Sequence, residues 1–147
     1  MNKGVVFALV AAIIWGIDYA LADRVLKSIS VYTLVTIEMF IGTIVFSVIG
    51  YNEIINDVTI LKTDHQVLKY FIIDTIGFNI GFYLICKSIQ SSNAAVAGLI
   101  EISYPIFIII ASWLFFRENH LTLPIIIGGI FIFIGLAIIG IFSHGKS

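Results

Sequence analysis

Charge is what this sequence has least of. Lysine and arginine together number eight and aspartate and glutamate nine, so 12% of the 147 residues are charged, about half of what a soluble domain carries. Cysteine is nearly absent: the single Cys86 excludes an internal disulfide and any cysteine-based metal site. No basic tract offers itself to nucleic acid, and a net charge of −1 selects no charged partner. Proline-rich, Gly/Ser-rich and low-complexity linkers are missing, which leaves a single domain over 1–147 as the simplest organisation. The three histidines, His65, His120 and His144, fall at loops or the chain end. No metal-ligand cluster, nucleophile beside a base or phosphate-binding glycine loop is present. Neither an enzyme nor a bound cofactor is expected.

What the chain does have is apolar length. Hydrophobic residues make up 60% of it, and a spanning helix needs roughly 20 mostly apolar residues in a row. Five runs qualify, at about 4–22, 32–51, 67–87, 94–116 and 121–143, and they predict an all-α, polytopic membrane protein of five transmembrane helices in one bundle. Between them only residues 52–66, "NEIINDVTILKTDHQ", are polar for long enough to form a small surface loop. Lys3, the apolar core after it and "ALAD" at 20–23 also fit a cleavable signal peptide; an uncleaved first helix is the expectation. Ala8, Ala12, Gly16 and Ala20 form a ridge of small residues at every fourth position, and Gly77 and Gly81 give the third helix a similar face. Such faces admit a neighbouring helix at close range.

Orientation is unusually balanced. Lysine and arginine normally gather on the cytoplasmic side, yet Lys3, Lys62, Lys69 and Arg117 fall on the N-terminal side and Arg24, Lys27, Lys87 and Lys146 on the other. A chain without bias can insert either way round, so two opposed copies could pair about an axis in the membrane plane. A modest bias, with distant residues such as Lys62 counting for less, is the alternative.

Four acids lie inside the apolar runs: Asp18, Glu38, Asp74 and Glu101. The only basic residue near a run's interior is Lys87, at the end of the third. An ionisable side chain at the bilayer centre costs on the order of 3 kcal/mol by insertion scales and usually faces a bundle interior or a water-filled cavity. Asp18 and Asp74, about 6 to 9 Å from a helix end, could instead reach interfacial water. Glu101 is some 12 Å into its run, in "GLIEISYPIFIIIASWLFF" (98–116). Pro105 removes the hydrogen bond to the carbonyl four residues earlier, which is that of Glu101 itself. Carboxylate and freed carbonyl then project from one point, on a stripe of small and polar residues that also holds Tyr104 as a hydrogen-bonding wall. Irregular backbone at membrane depth is tolerated where it lines water, and in transporters it marks substrate sites. Glu101 and Pro105 thus read as a binding site and its hinge; a tolerated kink with a protonated glutamate bonded to a neighbouring helix is the competing reading.

The residues also carry a family resemblance. "AAIIWGIDYALADRVL", "SVYTLVTIEMFIGTIVF" and "SSNAAVAGLIEISYPIFIIIASWLFFRENHLTLPIIIGGIFIFIGLAIIG" together resemble one EamA domain of the drug/metabolite transporter superfamily. Trp15-Gly16, the small-residue opening of the fourth helix, Pro105, Glu118 and the glycine-rich fifth helix carry the likeness. Members usually hold two such domains in ten helices with inverted halves. The resemblance therefore implies a transporter of a small metabolite or drug-like solute that works as a dimer of five-helix halves, in the cell membrane. The partner would be a second, antiparallel copy or another half-length chain. Two positions depart from the pattern: Glu38 stands where many members have arginine, and Tyr104 where many have glutamate before the proline. The change from basic to acidic points toward cationic or zwitterionic cargo, with proton coupling through the carboxylates. Glu101, Tyr104, Pro105, Asp74, Glu38, Asp18, Trp15 and Asn79 are the candidate substrate- or proton-binding residues. Glu118 reads as structural, pairing locally with Arg117 or His120. Half of a heterodimeric exporter, a lipid flippase, or a non-transporting membrane subunit are the other readings.

Overall fold

The structure, a computed structural model, describes residues 2–118 and 122–143. Every regular element among them is helical: α1 (Lys3–Val25), α2 (Val31–Ile49), α3 (Tyr51–Thr63), α4 (His65–Ser91), α5 (Ala94–Glu101), α6 (Tyr104–Ala111) and α7 (Leu123–Ser143), with a π-helical turn at Ser112–Phe116 between the last two. Four stretches are long and apolar enough to cross a bilayer: Lys3–Val25, Val31–Ile49, His65–Ser91 and Ala94–Phe116. α7 adds 21 residues, apolar through Leu123–Ile138. The chain is an all-helical, multi-pass integral membrane protein, as its composition predicts.

Two expected segments differ. Residues 52–66 are not a loop, because most of them form α3. Tyr51, Ile54, Ile55, Val58 and Leu61 recur at helical spacing, and α3 rests on α2 and α4 along that sequence. Gly50 makes the sharp α2–α3 junction possible: a Cβ there would sit 3.2 Å from the Phe46 carbonyl oxygen. At the other end Asp64 closes α3 and opens α4, its Oδ1 accepting from the N–H groups of Gln66 (2.9 Å) and Val67 (3.1 Å). Such capping satisfies donors that the first helical turn leaves free. The second difference lies in the 94–116 run, which is divided into α5, α6 and the π-turn.

Contacts divide the chain into two compact units, residues 21–91 and residues 1–20 with 92–147. In the 21–91 unit the buried side chains are Ala22, Leu26, Val31, Cys86 and Ile89, with Val31 and Ile89 only 1% exposed. They gather where the end of α1, the α1–α2 turn and the end of α4 meet. Ser30 caps α2 by accepting from the Thr33 N–H, and Gln90 Nε2 donates to the Leu26 carbonyl at 3.2 Å, an orphan acceptor at the end of a helix. The Tyr83 hydroxyl donates to that of Tyr32 at 3.2 Å, their rings 5.4 Å apart. In the other unit α5 touches α7, and Ala97 is buried to 1%.

Ile89 and Ile80 share a helix but not an environment, since Ile80 is 56% exposed. Ile89→Ala should lower stability in detergent by about 2 to 4 kcal/mol through the cavity it leaves, with Ile80→Ala costing clearly less; equal losses in a denaturation series would contradict the packing described.

Candidate functional site

The site grows from the break between α5 and α6. α5 starts on Asn93, whose side chain accepts from the Val96 N–H at 2.9 Å, and it ends at Glu101. Ile102 still bonds to the Gly98 carbonyl (3.1 Å), but the Ser103 N–H turns to Ile100 and the Ile106 N–H to Ser103, both at 3.1 Å. Pro105 then occupies the first turn of α6, where its missing N–H costs least. The Glu101 carbonyl loses its helical donor for the same reason. The expected kink is thus a true interruption, with a carboxylate on its N-terminal lip.

Glu101 is half-buried and held. The Tyr19 hydroxyl of α1 donates to Glu101 Oε2 at 2.5 Å, at the short end of the O–H···O range. Oε1 accepts no hydrogen bond from the described residues. Tyr19 is itself only 8% exposed. A Cβ built on Gly98 would lie 3.5 Å from the Tyr19 ring, so this glycine lets α5 approach the ring closely. One turn back on α1, Trp15 stands with its ring centroid 6.0 Å from that of Tyr19, half of it exposed. Sequence reading missed Tyr19. A tyrosine in an apolar run carries no mark of its partner when that partner lies 82 residues further on.

The other candidates fall as follows. Pro105 is half-buried beside the break, and Tyr104 is exposed, its hydroxyl making no hydrogen bond among the described residues. Asp18 is exposed on α1. Glu38, half-buried on α2, and Asp74 and Asn79, exposed on α4, belong to the 21–91 unit. Asp74 is nine residues from the start of α4 (74 − 65), about 14 Å along the helix. Asn79 spends its Nδ2 on the Thr75 carbonyl at 2.8 Å, which fixes the side chain along its own helix. Ala8, Ala12, Gly16, Ala20, Gly77 and Gly81 are all exposed, and a Cβ on any of the three glycines would meet nothing within 4 Å among the described residues. Arg117, at φ 60°, closes the π-turn through a bond to the Trp113 carbonyl, with its guanidinium carbon 5.6 Å from the Trp113 ring centroid. The backbone N–H of Glu118 donates to the Ser112 carbonyl at 3.3 Å. His120, named as a partner for Glu118, lies outside the described residues. No cluster of His, Cys, Asp or Glu able to hold a metal occurs among the described residues.

Apolar helices of spanning length, one of them interrupted beside a held carboxylate, define a polytopic membrane protein. Residues 2–141 match the EamA-like transporter family, and the chain belongs to it: a half-length member of the drug/metabolite transporter superfamily of membrane transporters. An uncharacterized protein of Methanocaldococcus jannaschii is 25% identical over 141 residues, covering 96% of this chain and 98% of that protein. No solved structure matches.

The Gly98–Tyr19 contact yields a graded test. Gly98→Ala places a methyl at ordinary contact distance and should be nearly neutral, whereas Gly98→Leu overpacks the ring and should cost about 1 to 3 kcal/mol. Thermal unfolding of the two variants measures this; a Leu as well tolerated as Ala would show that α5 does not lie against Tyr19.

Proposed function

We propose that this protein carries a small cationic or zwitterionic solute across the cell membrane as a dimer of five-helix halves, with Glu101 receiving the cargo or a proton in exchange for it. The observation that carries the reading is the half-buried Glu101 carboxylate at the α5–α6 interruption. A carboxylate and an undonated carbonyl at one point form a polar spot within an apolar run, and interrupted helices at this depth are how transporters bind cargo. A carboxylate oxygen can bind a proton or a cation but not both at once, so the two can be exchanged at one group. Asp18, Glu38 and Asp74 are further acids on spanning helices.

The dimer part of the proposal rests on the family's usual ten helices, the half-length relative, the balanced lysines and arginines, and the small residues of α1 and α4 that no neighbour covers. Opposite insertion of two copies distributes the acids between both leaflets; parallel insertion would crowd them and raise their electrostatic cost.

Two experiments test these parts separately. Glu101→Gln should insert and fold yet lose gradient-driven uptake of cationic solutes in proteoliposomes, whereas Asp18→Gln should be milder; full activity of Glu101→Gln would remove Glu101 from the mechanism. Asn2→Cys should be labelled from both sides of the membrane in comparable amounts, and two lysines added on one side should force one orientation and abolish activity. Labelling from one side only, with activity intact and no second half-length chain copurifying, would refute opposed copies.

A further inference from the structure

We infer that Tyr19 sets which cations the site accepts, by leaving Glu101 one oxygen and so favouring an ammonium head group over a guanidinium. The inference rests on the reading of Glu101 as the cargo site. Tyr19 holds Oε2 at 2.5 Å, and Oε1 accepts no hydrogen bond from the described residues. A guanidinium binds a carboxylate best through two parallel N–H···O bonds, which need both oxygens. An ammonium is a compact point charge whose donors rotate freely, so a single oxygen serves it. Trp15, half-exposed in the same cluster, adds an aromatic face of the kind that attracts a cation.

The arrangement is built rather than incidental. Tyr19 is 8% exposed, and its ring is confined by Gly98 on one side and by Trp15 one turn away. The hydroxyl therefore cannot swing clear to give up Oε2 without moving α1 against α5. A guanidinium must displace it to bind through both oxygens; an ammonium need not.

The test uses the full chain in lipid vesicles and two probes that differ only in the head group, 2-phenylethylammonium and 2-phenylethylguanidinium. Each is titrated for its ability to protect Glu101 from dicyclohexylcarbodiimide, read by mass spectrometry of the peptide carrying Glu101. In the native protein the ammonium should half-protect at about one tenth of the concentration the guanidinium requires. Tyr19→Phe keeps the ring against Gly98 and removes only the donor. It should bring the two probes within about threefold, chiefly by improving the guanidinium. A merely structural tyrosine would weaken both probes alike and leave their ratio unchanged, which overturns the inference. Equal protection in the native protein, or preference for the guanidinium, overturns it without need of the variant. If neither probe protects Glu101, the reading of a cation site fails and this inference falls with it. If both protect with an unchanged ratio, only the role of Tyr19 is lost.

Discussion

Inside the hydrocarbon of a bilayer a backbone carbonyl has no water to turn to, so a spanning chain keeps its hydrogen-bond ladder closed. That constraint organises this protein. α1, α2, α4 and α7 satisfy it by uninterrupted helix, and the capping at Ser30, Asp64 and Asn93 extends it to the helix ends. The departure lies at Ile102–Ser103, where ladder bonds shorten by one residue and Pro105 offers none. A side-chain bond from another helix braces the same place: Tyr19 ties the end of α5 to α1 through the Glu101 carboxylate. Irregular backbone, half-buried acid and the tyrosine that holds it meet at one point of the chain.

The sequence made the large features legible because the bilayer sets a length scale that composition reveals directly. Apolar runs of spanning length marked the four long spans and the apolar part of α7; a proline four residues after an acid has a local consequence readable without any fold. α3 escaped because its charged and amide residues interrupt the apolar ones, whose helical period a count of polar residues conceals. Tyr19 escaped for a different reason. Its partner is fixed by how α1 meets α5, and only the Gly98 contact, invisible in one dimension, tells the two helices to meet there.

The small residues teach a related lesson. Their spacing on α1 and α4 marks faces suited to close approach, and the open space at Gly16, Gly77 and Gly81 means that the described chain does not use them on itself. Helix association in lipid gains little from apolar area alone, since lipid tails are as apolar as leucine, and depends instead on close contact and polar bonds. The Tyr19–Glu101 pair combines both, a glycine allowing the approach and a hydrogen bond rewarding it. It shows on a small scale what kind of surface a neighbouring half would have to offer to the uncovered glycines.

The division of the chain has a consequence for how the molecule is made. One unit is continuous, residues 21–91, while the other is assembled from residues 1–20 and 92–147, so the ribosome delivers the inner portion complete before the outer one can close. Tyr19 and Glu101 are 82 residues apart; at 5 to 20 residues per second, the tyrosine leaves the ribosome roughly 4 to 16 s ahead of its carboxylate. Through that interval α1 waits for the carboxylate that its tyrosine will hold, so the late arrival of α5 is the step that fixes the two helices together.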